Sequence, residues 1–278
     1  MTEFTKAHGN GNDFLIVNEW DSEAVGDKEG FASEYCERRF GVGGDGVLFL
    51  QKPESRDAEI RMSLYQPDGD EVEMCGNGVR CLVAYAVEEG FVDESDSDVT
   101  VTVDVETLDG VKETVYTRED GDHMVTVDMG EPSFDPEDVP AERRIVEEEI
   151  GGYRLTSSNT GVPHSVVFVD EVDEIDVEEE SPDIRHADVF PEGSNVNFAS
   201  PTQDGYKIRT FERGVEGETL SCGTGSVAVA AVARELGKTD DDDGELRIQT
   251  RGGDLWISFE DGSAMMKGPA EIVYEGEV

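Results

Sequence analysis

The chain contains one segment twice. Residues 75–90 read CGNGVRCLVAYAVEEG and residues 222–237 read CGTGSVAVAAVARELG, with seven of 16 aligned positions identical at an offset of 147 residues. The flanks also correspond, since IRMSLY at 60–65 precedes the first segment as IRTF at 208–211 precedes the second. Because self-similarity of this kind marks a repeated structural unit, we expect two copies of one domain.

Each copy is predicted to consist mainly of strands around one helix. After Cys75, apolar residues recur at i, i+3, i+4, i+7 and i+8, which predicts a helix. The stretch 227–233 after Cys222 is apolar on every side, which predicts a helix buried all round. Short β-branched or alternating runs bounded by Asp-Gly turns predict strands at 14–17, 99–105, 124–127, 165–169 and 246–249. We therefore expect an α+β fold of two pseudo-symmetric copies, each a mixed β-sheet wrapped around a central helix.

The prolines at 132, 136 and 140 predict a junction between the two copies near residues 129–143. We expect residues 1–128 to form the amino-terminal copy, with a strand at 268–278 returning to it. Residues 129–267 are expected to form the carboxyl-terminal copy.

The charge balance limits the partners. The chain has 66 acidic and 22 basic residues, a net charge of −44 at pH 7, and no basic cluster that would bind nucleic acid or an anionic membrane surface. The most apolar run, 226–233, is far shorter than the roughly 20 residues of a membrane span. With no signal-peptide pattern and only four cysteines, the sequence predicts a soluble cytoplasmic protein.

The same acidity suggests a halophilic source. At about 1 M salt the Debye length is only about 3 Å, so repulsion among carboxylates is screened, whereas in dilute buffer it destabilises the compact state. Individual runs such as 240–243 are expected to be ordinary solvated surface.

Cys75 and Cys222 each open a predicted helix and have glycines at the next and third positions. Converging backbone N–H groups and the positive helix end favour an anion there, and they lower a thiol pKa from about 8.5 into the range of about 3.5 to 7.5. Duplication is expected to set the two cysteines face to face. A bound carboxylate could then lose its Cα proton to one thiolate and receive one from the other thiol, inverting the stereocentre without metal or pyridoxal phosphate.

Other roles for the cysteines fit less well. A zinc site with Cys75 and Cys81 lacks a common ligand spacing and a nearby histidine pair. A Cys75–Cys222 disulfide would block the chemistry above, and a Cys–His nucleophile would leave the duplicate cysteine unexplained. Cys36, in an expected helix over 31–39, and Cys81 are expected to be small buried hydrophobic residues.

Several longer motifs accompany the cysteines. They are HGNGNDF at 8–14, GVGGDG at 41–46, DG at 68–69 leading to MCGNG at 74–78, GVPH at 161–164, Asn195, and ERG at 212–214 leading to CGTG at 222–225. On these motifs the chain resembles the diaminopimelate epimerases essentially from end to end. Proline-racemase-like relatives usually carry His where Asn77 stands, which favours the epimerases.

The resemblance implies a homodimeric, cofactor-independent enzyme of lysine biosynthesis that interconverts LL- and meso-diaminopimelate. It implies Cys75 and Cys222 as the acid–base pair, with His164 and Glu212 tuning the thiols. The substrate-binding residues that it implies are Asn12, Gln66, Gly76, Asn77, Asn195, Glu212, Arg213, Gly223 and Thr224. It implies neither a metal nor an organic cofactor.

Two positions depart from the family's commonest pattern. Gln66-Pro67 stands where many members have Asn before the Asp-Gly pair, and Val162 stands where many have Asn before Pro-His. In the family both positions face the distal end of the substrate. A racemase or epimerase of another amino acid, similar to proline racemase, and a non-catalytic amino-acid-binding protein are therefore the alternatives.

Overall fold

The computed structural model describes residues 1–92, 100–239 and 244–278. Residue 99 of one predicted strand and the acidic run 240–243 lie outside the described residues. Within them the chain forms 17 strands, five α-helices and one short 3-10 turn, so the predicted α+β class is confirmed. The chain packs as two compact units, one of Met1–Asp128 with Lys267–Val278 and one of Met129–Met266.

The first unit is built of eight strands and two helices in its continuous part. They are β1 (Glu3–Gly9), β2 (Asn12–Asn18), α1 (Lys28–Tyr35), β3 (Gly46–Gln51), β4 (Ile60–Tyr65), β5 (Glu71–Val72), α2 (Gly76–Glu88), β6 (Thr100–Thr107), β7 (Gly110–Glu119) and β8 (Asp122–Asp128). Strands β2 and β3 pair in parallel, as do β4 and β6. The pairs β1–β2, β3–β4, β4–β5, β6–β7 and β7–β8 are antiparallel.

The second unit repeats this plan. Its elements are β9 (Glu148–Ile150), β10 (Tyr153–Asn159), β11 (Pro163–Phe168), the 3-10 turn Val172–Glu174, α3 (Val177–Glu180), α4 (Pro182–Arg185), β12 (Asn195–Pro201), β13 (Gly205–Glu212), β14 (Gly217–Thr219), α5 (Gly223–Glu235), β15 (Leu246–Thr250), β16 (Gly253–Glu260) and the start of β17 (Ser263–Glu277). β11–β12 and β13–β15 are parallel, whereas β10–β11, β12–β13, β13–β14 and β15–β16 are antiparallel. The pairing from β10 to β16 thus matches that from β1 to β7.

The helices after the two cysteines lie at the centres of the units. α2 and α5 are each 13 residues long, and each begins directly after its cysteine. Every residue from Gly225 to Ala233 is buried, so the all-round burial predicted for α5 is confirmed. The same burial holds in α2 from Gly76 to Val87, because strands surround both helices. Of the helices in the described ranges, none is both long and apolar enough to cross a membrane.

The helix expected over 31–39 is wrong in its extent. α1 begins at Lys28, after Asp27 accepts a side-chain hydrogen bond from the Gly30 N–H, and it ends at Tyr35. The Tyr35 carbonyl accepts from Val42 and Gly43, so the chain turns back instead of continuing as a helix. Cys36 is only 2% exposed as expected, but it lies at the carboxyl-terminal cap.

The proline-containing segment 129–143 is held against the second unit by hydrogen bonds. The Met129 N–H donates to the Ala264 carbonyl at 2.9 Å, and Ser133 and Asn159 exchange backbone hydrogen bonds at 2.9 and 2.7 Å. The Asn159 side chain also donates to the Asp138 carbonyl at 2.6 Å. The predicted junction is therefore a bonded edge of this unit and not a free connector.

Candidate active site

In each unit a cysteine occupies the N-cap position of the central helix. Cys75 has φ −144° and ψ 116°, and Cys222 has φ −120° and ψ 112°, so both are extended residues that lead directly into helix. Neither side chain caps its helix. The N–H groups of the first turn and the positive helix end can therefore serve an anionic ligand next to each sulfur.

The sulfur of Cys75 faces a carbonyl oxygen. It lies 3.7 Å from Asn12 Oδ1, which also accepts from Asn77 Nδ2 at 3.2 Å. The orientation of the Asn12 amide follows from its other contact, because Nδ2 donates to the Asp45 carboxylate at 2.8 Å and a carboxylate only accepts. The surroundings of Cys75 thus offer its thiol a hydrogen-bond acceptor.

A cluster of charged residues supports this asparagine. Arg38 binds Asp45 and Asp13, each with one contact of 2.6 Å, and Lys6 binds Asp13 at 2.7 Å. Burial on its own would raise the pKa of Asp13, but hydrogen bonds from Arg38 and Lys6 lower it to about 2. Asp13 therefore stays ionised at neutral pH, and the contacts of Arg38 fix the loop that carries Asp45 against the start of β2.

Arg80 connects the same strand pair to helix α2. Its side chain is completely buried, and it donates to Asn10 Oδ1 at 2.7 Å and to the Pro269 carbonyl at 3.3 Å. Burial lowers its pKa to about 10, so it remains a cation. Asn10 and Gly11 have φ of 54° and 82° in the turn between β1 and β2. Arg80 thereby holds the turn that leads into Asn12.

The sulfur of Cys222 faces a hydroxyl group instead. It lies 3.4 Å from Thr224 Oγ1, and that oxygen lies 2.9 Å from His164 Nε2. The Thr224 carbonyl accepts from Thr160 Oγ1 at 2.9 Å, which ties the first turn of α5 to the loop after β10. A cysteine, a hydroxyl and an imidazole thus form one hydrogen-bonded row.

His164 is neutral at physiological pH. Its side chain is fully buried, and burial, followed by the positive charge of Arg213, lowers its pKa to about 3. A ring with this pKa does not take up a proton near pH 7, so it influences Cys222 through its hydrogen bonds. Its Nδ1 lies 3.0 Å from Asn197 Nδ2.

The remaining residues implied by the resemblance divide between the units. Asn195 is 4% exposed and joins two segments, because it accepts from the Arg213 N–H at 2.7 Å and donates to the Pro163 carbonyl at 2.9 Å. Glu212 accepts from the Thr219 hydroxyl. Gln66 is exposed in the turn after β4, and no described contact links it to Cys75.

The glycines implied as substrate ligands lie in the first helical turns, Gly76 in α2 and Gly223 in α5. Beside them, Asn77 is buried, and its Oδ1 finds no hydrogen-bond partner among the described residues. This oxygen is an acceptor in the first turn of α2, two residues after Cys75, on a residue whose Nδ2 already donates to Asn12.

Three residues at these sites escaped sequence reasoning. Asp45 belongs to the GVGGDG motif, but the motif does not reveal that it orients Asn12. Arg80 could have been noticed in the sequence, because it is a basic residue within a predicted helix that is otherwise mostly apolar. Asn197 lies two residues after Asn195 on β12, and the two-residue period of a strand places both side chains on one face.

The sequence profile of the family described as diaminopimelate epimerase matches residues 4–134 and 156–273. The chain belongs to the diaminopimelate epimerase family. A diaminopimelate epimerase from Methanocella arvoryzae is 48% identical over 280 residues, which cover 99% of this chain and 96% of that protein. One from Methanothrix thermoacetophila is also 48% identical over 280 residues, which cover 99% of this chain and 95% of that protein.

Solved structures agree on the fold. A Bacillus anthracis phenazine biosynthesis protein of the PhzF family superposes with a TM-score of 0.74 over 100% of this chain and 98% of that chain, at 19% identity. The predicted epimerase-like architecture is therefore confirmed, and so is the resemblance to diaminopimelate epimerases on which the sequence motifs converge.

Proposed function

We propose that this diaminopimelate epimerase family member is an isomerase that converts LL-diaminopimelate into meso-diaminopimelate in lysine biosynthesis. Its near-full-length identity of 48% with diaminopimelate epimerases carries the proposal. The two units, each with a cysteine at the start of its central helix, are proposed to be the two halves of the enzyme.

The proposed reaction is a two-base proton transfer that needs no cofactor. The thiolate of one cysteine takes the Cα proton, so that a C–H bond breaks, an S–H bond forms and the electron pair stays on the substrate. The thiol of the other cysteine protonates the opposite face of Cα and becomes the thiolate. Cys75 and Cys222 exchange roles when the reaction reverses, and no atom is gained or lost.

The helix starts are proposed to hold the α-carboxylate. First-turn N–H groups at Gly76 and Asn77, and at Gly223 and Thr224, support this proposal, because N–H groups at a helix start stabilise negative charge such as that which develops on deprotonation. The unpartnered Oδ1 of Asn77 suits an ammonium donor of the substrate.

Further residues are proposed to recognise the rest of the substrate. Arg213 suits a carboxylate through its planar pair of donors, and Asn12, Asn195, Glu212 and Gln66 supply amide and carboxylate groups. With His164, Glu212 is also proposed to tune the thiols.

We also propose that the enzyme is a homodimer, that it is located in the cytoplasm and that it works in molar salt. The net charge of −44 supports the last, because such repulsion is screened in concentrated salt. Light scattering after size-exclusion chromatography in about 2 M KCl, a salt range in which repulsion among carboxylates is screened, measures the oligomeric state directly.

Deuterium exchange tests the chemistry. In deuterated buffer with molar salt, LL-diaminopimelate is expected to yield meso product that carries deuterium at the inverted Cα, with little label in unreacted substrate early on. Cys75→Ala and Cys222→Ala are each expected to abolish epimerisation, and Cys36→Ala, a change at a buried thiol outside the site, is the matched control. Full epimerisation by either site variant would refute the two-thiol mechanism.

The same assay separates the alternatives. Exchange at Cα of proline or hydroxyproline, with none in diaminopimelate, would indicate a racemase of the other type. Tight binding of diaminopimelate without exchange would indicate a binding protein.

A further inference from the structure

We propose that Asn197 is a positioning residue that holds His164 in the tautomer protonated at Nε2 and so directs the Thr224 hydroxyl onto the Cys222 sulfur. The inference rests on the proposed acid–base role of Cys222. It starts from three buried polar side chains on adjacent strands: His164 of β11, Asn197 of β12 and Thr210 of β13, which are 0, 0 and 3% exposed.

The strand register brings these side chains together. β11 and β12 run parallel with His164 opposite Asn195, and β12 and β13 run antiparallel with Thr210 directly opposite Asn197. Since alternate residues of a strand share a face, Asn197 lies one step further along the face that Asn195 begins. From there it reaches His164 on one side and Thr210 on the other.

The direction of the Asn197 amide follows from its neighbours. Its Oδ1 accepts from the Thr210 hydroxyl at 3.0 Å, and its Nδ2 lies 3.4 Å from the Ser165 carbonyl, which can only accept. Nδ2 is therefore the atom that faces His164 Nδ1 at 3.0 Å, and it must donate to it.

The direction of every later bond then follows. A neutral imidazole carries one proton, and because Nδ1 accepts, that proton is on Nε2. Nε2 donates to Thr224 Oγ1 at 2.9 Å, which leaves the hydroxyl hydrogen to point at Cys222 Sγ, 3.4 Å away. A donor aimed at a sulfur stabilises its thiolate form, so Asn197 acts on Cys222 through two other residues.

The surroundings preserve this arrangement. Arg213 is the charged group that acts on the His164 ring, and it opposes protonation. Glu212, at the end of β13, is bound to Thr219. On the neighbouring strand β10, the residue opposite His164 is the uncharged Ser158.

The first turn of α5 is fitted closely to the same amide. A Cβ at Gly225 would lie 2.5 Å from Asn197 Oδ1 and 3.3 Å from Cys222 Sγ. Only glycine fits between the amide and the sulfur. The first turn of α5 therefore packs directly against the Asn197 side chain.

Nitrogen NMR of histidine-labelled protein tests the tautomer without substrate. At pH 7.5, His164, assigned by its loss in His164→Gln, is expected to show a protonated Nε2 and an unprotonated Nδ1. In Asn197→Asp a carboxylate replaces the donor, and the neutral ring is expected to carry its proton on Nδ1. Protonated Nδ1 in the wild type overturns the proposal, and this spectrum decides by itself if the variant does not fold.

Thiolate absorbance tests the effect on Cys222. Burial raises the pKa of Cys36 to about 11 and that of Cys81 to about 12, so a Cys75→Ala background separates the thiol of Cys222 from the two buried thiols. Losing one hydrogen bond to the thiolate is expected to raise its midpoint by about one pH unit, which is about tenfold less thiolate below the midpoint. Asn197→Asp is expected to show this change.

Two further variants make the result specific. Thr224→Val is expected to raise the Cys222 midpoint as much as Asn197→Asp, and the double variant no further, since both break one pathway. Asn159→Asp, which adds the same charge to β10 of this unit, is expected to leave the Cys222 midpoint unchanged.

An unchanged midpoint in Asn197→Asp, or additive effects in the double variant, overturns the proposal. If these titrations behave as expected while Cα exchange is absent, the proposed function alone fails.

Discussion

Acid destabilisation should reveal the buried neutral ring of His164. Folding lowers the pKa of this ring from 6.5 to about 3, chiefly through burial and secondly through Arg213. Below pH 6.5 the unfolded chain binds a proton at this residue that the folded protein refuses, so stability falls as the pH falls. Between pH 7.5 and pH 5.0 this loss amounts to about 2 kcal/mol, and it approaches about 1.4 kcal/mol per pH unit in that window.

Urea unfolding in molar KCl at the two pH values measures this loss. Many carboxylates also titrate in this protein, so the informative quantity is the difference between wild type and His164→Gln. The variant lacks the ionisable ring and is expected to lose about 2 kcal/mol less than the wild type on going to pH 5.0. His186→Gln is the matched control, because it removes a histidine whose side chain is 62% exposed.

Equal losses in wild type and His164→Gln would refute the reasoning. The ring would then accept a proton in the folded state, and the direction of the hydrogen bonds from Asn197 to Cys222 would no longer follow. A smaller loss in His186→Gln than in the wild type would show that the exposed histidine also contributes.

Three further outcomes are expected. Gly225→Ala should destabilise the protein by about 1 to 3 kcal/mol in urea unfolding, because its Cβ meets the Asn197 amide at 2.5 Å; Gly78→Ala, the equivalent position of the first repeat, should cost less, since its nearest neighbour is a Leu48 methyl at 3.2 Å. Arg80→Met should cost about 2 to 3 kcal/mol, because it removes the hydrogen bonds that this completely buried side chain donates to Asn10 and to the Pro269 carbonyl. The unfolding midpoint should rise markedly from 0.1 to 2 M KCl, about the range over which the Debye length falls from roughly 10 Å to a few ångströms, because the charge of −44 is then screened; a flat response would contradict the proposed salt adaptation.

The order of strands and helices could be predicted from the sequence because the same sequence pattern occurs in both halves of the chain. Two helix starts with the same Cys-Gly-x-Gly pattern, followed by apolar stretches, are local signals, and α2 and α5 begin at the expected residues. The extent of α1 could not be predicted in this way. Its end depends on hydrogen bonds from Val42 and Gly43 to Tyr35, which are contacts between segments.

The side-chain partners of the candidate site were predictable only in part. Motifs point to Cys75, Cys222 and His164 as separate residues, but a motif contains no information on hydrogen-bond direction. The protonated nitrogen of His164 follows from Asn197, a strand neighbour 33 positions away. Likewise Asn12 presents its oxygen to Cys75 because Asp45, 33 positions further on, accepts from its nitrogen.

The duplication is therefore symmetric in backbone and asymmetric in chemistry. The repeat aligns Asn77 with Thr224, and Arg80 with Val227, so that the first helix carries a buried cation where the second has an apolar side chain. One sulfur faces an amide oxygen and the other a hydroxyl group. The proposed two-base reaction needs one thiol and one thiolate at the same moment, and identical surroundings would favour the same protonation state in both. Divergence of the side chains around a shared helix start supplies that difference while both starts keep the N–H groups that suit a carboxylate.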